Sequence, residues 1–334
     1  MEAVNPTNRE PRRWTHLWKG WRGLVLRLVL FVLPAAWVLG RVHLGDVFEH
    51  ARRVGLVSLA GGIVLVLAAT SVATWRWRTL LKAYGAGKVP AFVTLLHHNL
   101  VGCFYNLLPG GVGGDALRGY RLRNTVPTQA ASYAVVIVER VCGLVGLLLV
   151  AAAAMFHSPE LRQGPIMAAM NVGSLAALLG SFALLGLPLA LGRSERLRRL
   201  VRRVPLLARV PEKLPAPPSP KGLIIAVALS VFTQLFSLLC IALMLHPLPF
   251  AVAVRLALAI GPVVILLSYI PVTPGALGQR EALFAYFFGM AGVPEAAAVA
   301  ASLLFFSTLI FQGILGGILV LVEGFRTARR GPNA

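Results

Sequence analysis

Hydrophobic residues in this chain fall into long unbroken runs, with polar residues gathered between them. Runs at 24–40, 55–74, 128–156, 168–191, 222–246 and 296–322 each reach or exceed the roughly 17–25 residues that carry a helix across a bilayer core. Two more apolar segments, 92–107 and 253–271, lead straight into Pro-Gly breaks, NLLPGGVGGDALRGYRLR from Asn106 and YIPVTPGALGQREAL from Tyr269. Proline lacks a backbone donor and glycine opens positive φ, so neither break continues a helix. In a membrane, irregular backbone survives only where it is buried in protein or lines a polar cavity. The pattern predicts an all-α polytopic membrane protein. It has about six full transmembrane helices plus two re-entrant or broken helix pairs, near 92–127 and 253–292.

Composition agrees. Of 334 residues, 57% are hydrophobic and only 13% charged, about half the charged share of a soluble domain. The net charge of +20 raises the question of nucleic acid, but the basic residues lie in short connectors and not in an aromatic-interleaved patch. Membrane lipids are the expected partner, and nucleic acid is not. Cys103, Cys142 and Cys240 stand singly in apolar runs and read as small core residues.

The basic residues also orient the chain. With each break folding back to its own side, the segments 1–23, 75–91, 115–127, 192–221 and 323–334 carry 24 Lys or Arg, against 4 in 41–54, 157–167 and 247–254. Positive charge accumulates on the cytoplasmic side, so both termini are expected in the cytoplasm and the chain in the cytoplasmic (inner) membrane. The N-terminal tail 1–23 precedes a first membrane half, 24–156. A second half, 157–322, carries the basic loop 192–221, and a tail 323–334 closes the chain.

The halves share spacing. Pro109-Gly110-Gly111-Val112-Gly113 recurs as Pro274-Gly275-Ala276-Leu277-Gly278, 165 residues later, and the spans starting at Gly55 and Thr128 have counterparts at Gly222 and Ala296, offset by 167 and 168. Each half contains three crossings, an odd number, so the second is expected upside down relative to the first. Inverted-topology repeats with broken helices are a transporter design.

Charge inside the apolar region marks the candidate site. Glu139 and Arg140 lie deep in the span that starts at Thr128, where an ionised group costs several kcal/mol and marks a pathway or a buried pair. Arg118 or Arg280 is the expected partner of Glu139, and Asp115 or Glu281 that of Arg140. Two readings stand side by side. In one, the ions form a network that locks the broken pairs together. In the other, Arg118, Arg140 and Arg280 hold a phosphate-bearing headgroup, helped by free N–H groups at Gly110, Gly111, Gly113 and Gly114. His97 and His98 are adjacent, face different ways and lack an acidic partner at ligand spacing, so no metal is expected. Gln234 and Gln312 read as interhelical hydrogen-bonding residues.

These residues resemble the transmembrane family named for lysylphosphatidylglycerol synthase, the flippase-like membrane proteins. The resemblance rests on Asn106-x-x-Pro109-Gly-Gly-x-Gly-Gly-Asp115-x-x-Arg118, on Glu139-Arg140, and on Pro271-x-x-Pro274-Gly-x-x-Gly278-x-x-Glu281. It implies a lipid translocator, with a headgroup site drawn from Asn106, Gly110, Gly111, Gly113, Gly114, Asp115, Arg118, Glu139, Arg140, Pro274, Gly275, Gly278, Arg280 and Glu281. The second motif departs from the family form at Ala276, since alanine tolerates positive φ poorly. The twelve residues after the last span leave no room for an aminoacyltransferase domain, so synthesis of an aminoacyl lipid is not expected. No cofactor is expected, and no GxxxxGK[ST] occurs; movement is expected to be passive or driven by a gradient. An embedded transferase or phosphatase acting on lipid-linked substrates, and a scaffold for a cell-envelope biosynthesis partner, are the alternatives. A translocator or enzyme is expected to lose activity in Arg118→Gln or Glu139→Gln, and a scaffold to tolerate both.

Overall fold

A computed structural model describes residues 43–107, 113–157, 165–196, 199, 219–245, 248–270, 276 and 278–330. The first predicted span, the basic tail and most of the basic loop lie outside them. Among the described residues there are nine helices and no strand. In chain order they are α1 (Leu44–Ala83), α2 (Phe92–Leu107), α3 (Gly113–Arg121), α4 (Gln129–His157), α5 (Pro165–Arg193), α6 (Pro220–Met244), α7 (Phe250–Ser268), α8 (Gln279–Met290) and α9 (Glu295–Arg330). Five, namely α1, α4, α6, α7 and α9, are long and apolar enough to cross a membrane. The described apolar stretch of α5 is Val172–Leu187.

Helix α1 outruns its predicted span at both ends. Gly55 takes φ 74° and ψ 165°, a conformation open to glycine alone, and the chain is helical on either side of it. Residues 44–54 therefore form a short helix of their own, where a loop was expected. Val47 buries against Ala285, Val299 and Ala300, which seats this helix on α8 and α9. At the other end α1 runs on through Trp75-Arg76-Trp77-Arg78 to a glycine stop. Gly85 (φ 80°) donates to Lys82 O at 3.1 Å and Ala86 to Leu81 O at 3.1 Å, the paired bonds of a Schellman motif. The same device ends α8, where Gly292 (φ 82°) donates to Gly289 O and Val293 to Phe288 O.

Helices α1 and α6 form the axis of the molecule and make its most extensive helix–helix contact. They run antiparallel: Gly62 abuts Met244 and Gly222 abuts Ala83. One apolar cluster joins Val54 and Val66 to Leu238–Leu245 and to α7, α8 and α9. Another joins Trp77, Leu80 and Leu81 to Leu223, Ala226 and α4. Between them α1 carries Thr70, Thr74 and Arg76, while α6 carries Ser230, Thr233, Gln234 and Ser237. Polar groups are thus concentrated midway along two otherwise apolar helices.

The packing repeats. Helix α4 packs on α6 and α7, and α9 packs on α1 and α2; the hairpins α2–α3 and α7–α8 each lean on the long helix that follows. Exchanging α1–α4 with α6–α9 leaves this pattern unchanged. Helix α5 stands apart, packing mainly on α4. Its predicted counterpart, 24–40, lies outside the described residues. The two breaks differ in one respect: α2 has 16 residues, whereas α7 has 19 and is itself long enough to cross.

Close packing of α9 on α2 depends on small residues. A Cβ on Gly316 would collide with the carbonyl of Leu100, which is backbone and cannot swing aside, whereas one on Gly289 would meet open space. Overpacking of this kind costs about 1–3 kcal/mol. Gly316→Ala is therefore expected to lower the melting temperature of the detergent-solubilised protein, and Gly289→Ala to leave it within error. Equal melting of the two variants would refute the contact.

Candidate functional site

The polar midsection opens into a cavity of about 350 Å³ lined by residues of α1, α2, α3, α4, α6 and α9. Its charged wall is built around Glu139, on α4. Arg76 Nη2, from α1, donates to Glu139 Oε1 at 3.0 Å, and Arg118 Nη2, from α3, donates to Oε2 at 2.5 Å. All three side chains are less than a tenth exposed. Arg76 also donates to Ser230 on α6 (3.0 Å), and the Arg118 guanidinium lies over the Trp77 ring, 4.1 Å from its centre. One residue further along α4, Arg140 also lines the cavity and donates two bonds of 2.8 Å to Asp115, on α3. Asp115 also sits 3.6 Å from Arg118. Three guanidiniums face two carboxylates, so the group carries one net positive charge. Among the described residues the Nε atoms of Arg76 and Arg118 have no hydrogen-bond acceptor, and both are buried away from the cavity surface.

The rest of the lining is uncharged and mixes polar groups with apolar ones such as Val66, Leu107 and Leu309. Asn99 donates to Thr74 Oγ1 at 3.0 Å, Gln312 donates to Thr70 Oγ1, and Gln234, just behind the wall, donates to Gly143 O at 3.1 Å. The two glutamines bond between helices as expected. Asn106 Oδ1 accepts the backbone N–H of Gly114 at 3.0 Å. That bond corrects one expectation, because the Gly114 amide is already taken and is not free to hold an anion. Gly114 is required for a different reason: a Cβ there would strike the carbonyl of Gly102, where α3 crosses α2. Gly113 is exposed at the start of α3. Gly110, Gly111, Pro274 and Gly275 lie outside the described residues.

The second break holds a separate cluster. Arg280 donates to Glu281 Oε1 (3.0 Å) and Ser302 Oγ (3.2 Å) and lies over the Phe306 ring. Glu281 further accepts from Ser302 and from the backbone N–H of Gly278, closing the first turn of α8 as the acid of a capping box does. Neither Arg280 nor Glu281 lines the cavity. Of the predicted pairings, Arg118 with Glu139 and Asp115 with Arg140 are present; those routed through Arg280 and Glu281 are not, because these two neighbours satisfy each other. Ala276 takes φ 56°, a strained position for alanine that costs about 1–2 kcal/mol.

Two features escaped the sequence reading. The apolar run ends at Thr74, which places Arg76 in a cytoplasmic loop, yet the helix continues to Ala83, about two and a half more turns, and buries it. The signal available was the absence of any helix stop before Gly85. The second is a cluster of His97, His98, Arg121 and Glu323. Arg121 makes paired bonds of 3.0 and 2.7 Å to Glu323 and meets His98 Nδ1 at 2.9 Å, while His97 lies 3.5 Å from the same carboxylate. The two adjacent histidines do reach one acidic partner, more than 200 residues away in sequence. The side-chain donors of His97, His98 and Glu323 all lie within 4.8 Å of one another, with the guanidinium already seated among them.

Removing one member of a buried ion group typically costs about 3–5 kcal/mol, because the remaining charge is left uncompensated, while a half-exposed pair is worth under about 1 kcal/mol. Glu139→Gln, which strands two buried guanidiniums, is therefore expected to lower the melting temperature sharply, and Arg140→Gln hardly at all. Comparable melting of the two in detergent would show that Glu139 does not anchor the fold.

Comparison with known proteins bears on the same segments. No curated protein matches the chain. The sequence family described as Lysylphosphatidylglycerol synthase TM region matches residues 24–316, a stretch that takes in both breaks, the charged cavity and eight of the nine helices in full. The chain therefore belongs to the family of lysylphosphatidylglycerol synthase transmembrane regions.

Proposed function

We propose that this protein translocates a phospholipid, or another lipid-linked anionic molecule, across the cytoplasmic membrane. The headgroup passes through the cavity while the acyl chains stay in the bilayer. The observation that carries the reading is the cavity itself: a space with one charged wall of net positive charge, set midway along apolar helices, where isolated charge is costly and marks a pathway. Antiparallel α1 and α6, and a packing pattern unchanged when the halves are exchanged, support an inverted repeat, the architecture in which one half rocks against the other around a midplane site. Both termini are assigned to the cytoplasm on the distribution of basic residues. The reading makes the protein a carrier with no catalytic step of its own.

Within the site, roles divide by exposure. Arg76, Arg118 and Glu139 are buried and bonded to one another, so they hold the wall in place. Arg140 is 52% exposed and pairs with a carboxylate that Arg118 also approaches, so it is the guanidinium placed to meet a phosphate. A charge-assisted hydrogen bond is worth about 1.5–3 kcal/mol, or roughly ten- to a hundredfold in rate when lost. The test is leaflet exchange of labelled lipids in vesicles reconstituted with the purified protein. Wild type is expected to exceed empty vesicles, and Arg140→Gln to lose about tenfold or more with unchanged melting. No exchange of any lipid above empty vesicles would overturn the translocator reading. Exchange in Arg140→Gln at the wild-type rate would overturn the role given to Arg140.

A further inference from the structure

The charge inventory of the cavity goes further than a general preference for lipid. Resting on the translocator reading, we infer that the cavity selects a headgroup whose phosphate is its only charge and whose remainder is neutral and hydroxylated, and that it rejects headgroups carrying an ammonium. An ammonium group needs a carboxylate that is not already paired. Among the described residues Glu139 is the one carboxylate that lines the cavity, and both of its oxygens are engaged by guanidiniums. Asp115, behind Arg140, is held by two bonds from that arginine and approached by Arg118. A cationic headgroup would thus enter a space of one net positive charge, with no anion to receive it and with donor-rich guanidiniums on one wall. A phosphate meets the opposite situation, since Arg140 lines the cavity and is half exposed.

The remaining wall states what else the headgroup carries. Asn99, Gln312, Thr233 and Ser237 offer neutral hydrogen-bonding groups. The amides of Asn99 and Gln312 direct their N–H groups at Thr74 and Thr70, which leaves their carbonyl oxygens as acceptors. Thr233 and Ser237 donate to carbonyls of their own helix, which leaves lone pairs on the hydroxyl oxygens. Acceptors of this kind suit the hydroxyls of a glycerol or sugar. Phosphatidylglycerol is the simplest lipid with this chemistry. Its lysyl ester, which adds two amino groups to the same head, is the simplest that violates it.

Binding and movement separate this inference from the reading beneath it. Binding is measured by native mass spectrometry of the detergent-purified protein titrated with phosphatidylglycerol, its lysyl ester or phosphatidylethanolamine. Exchange is measured in vesicles containing a labelled form of each. Phosphatidylglycerol is expected to bind and exchange at least tenfold better than either amine-bearing lipid. Ser237→Asp places an unpaired carboxylate in the cavity and is expected to narrow or reverse that ratio for the lysyl ester. Equal or preferred binding of the lysyl ester by wild type overturns the inference, whatever the exchange assay shows. Selective binding of phosphatidylglycerol without exchange of any lipid upholds the inference about the cavity and overturns the translocator reading.

Discussion

A single carboxylate holds the site together. Glu139 accepts from Arg76 on one side and Arg118 on the other, and those three residues sit on α4, α1 and α3. A lone carboxylate among apolar helices would be expensive, and so would either arginine. Together they are tolerable only when all three helices stand in register. The short helix α3, nine residues long and preceded by a Pro-Gly break, has little apolar surface to set its depth. Its position follows from Arg118, which must reach Glu139, and from Gly114 and Gly102, which let the α3 backbone come close to α2. A charge network and a glycine contact therefore do for this hairpin what a hydrophobic face does for the longer helices.

The two halves share packing but not chemistry. At the offsets that relate them, Arg76, Arg118, Glu139 and Arg140 correspond to Leu243, Leu283, Ser307 and Thr308. The second half keeps an ion pair at its own break, Arg280 with Glu281, but closes it with Ser302 and the Gly278 amide. It lines the cavity with neutral groups from α6 and α9. The first half supplies all the charge that lines the cavity, with Thr70, Asn99 and Asn106 beside it, and the second half supplies only uncharged groups, Thr233, Ser237, Leu309 and Gln312. That asymmetry suits the proposed headgroup, with one charged and one hydroxylated part.

The pattern of long apolar runs and Pro-Gly breaks made the helical membrane fold, the repeat spacing and the pairs Arg118–Glu139 and Asp115–Arg140 legible in the sequence, because each depends on residues close in sequence or on regular offsets. Arg76 was hidden because hydropathy falls at Trp75-Arg76-Trp77-Arg78 while the backbone stays helical until Gly85; a charge that is cheap only beside Glu139 looks like a loop charge when read alone. Arg280 was misjudged for the opposite reason. Its partner is its own neighbour Glu281, a pairing that helical geometry usually disfavours, made available here by Ser302 bridging the two side chains from α9. The link from His97 and His98 to Glu323 joins residues more than 200 positions apart, and no local pattern signals it.

The placement of Asp115 between two arginines bears on how a phosphate could be both held and released. A guanidinium locked to its own carboxylate would have to give up that bond before taking a phosphate, and the stranded carboxylate would oppose the exchange. Here the stranding is softened. If Arg140 turns toward a phosphate, Asp115 still has Arg118 at 3.6 Å. When the phosphate leaves, Arg140 returns to a carboxylate already held in place on α3. In the proposed role, the arginine that meets the phosphate sits next to Glu139 and not at it for the same reason. Helical geometry turns adjacent side chains about 100° apart, so one residue of α4 anchors the wall while the next faces the cavity.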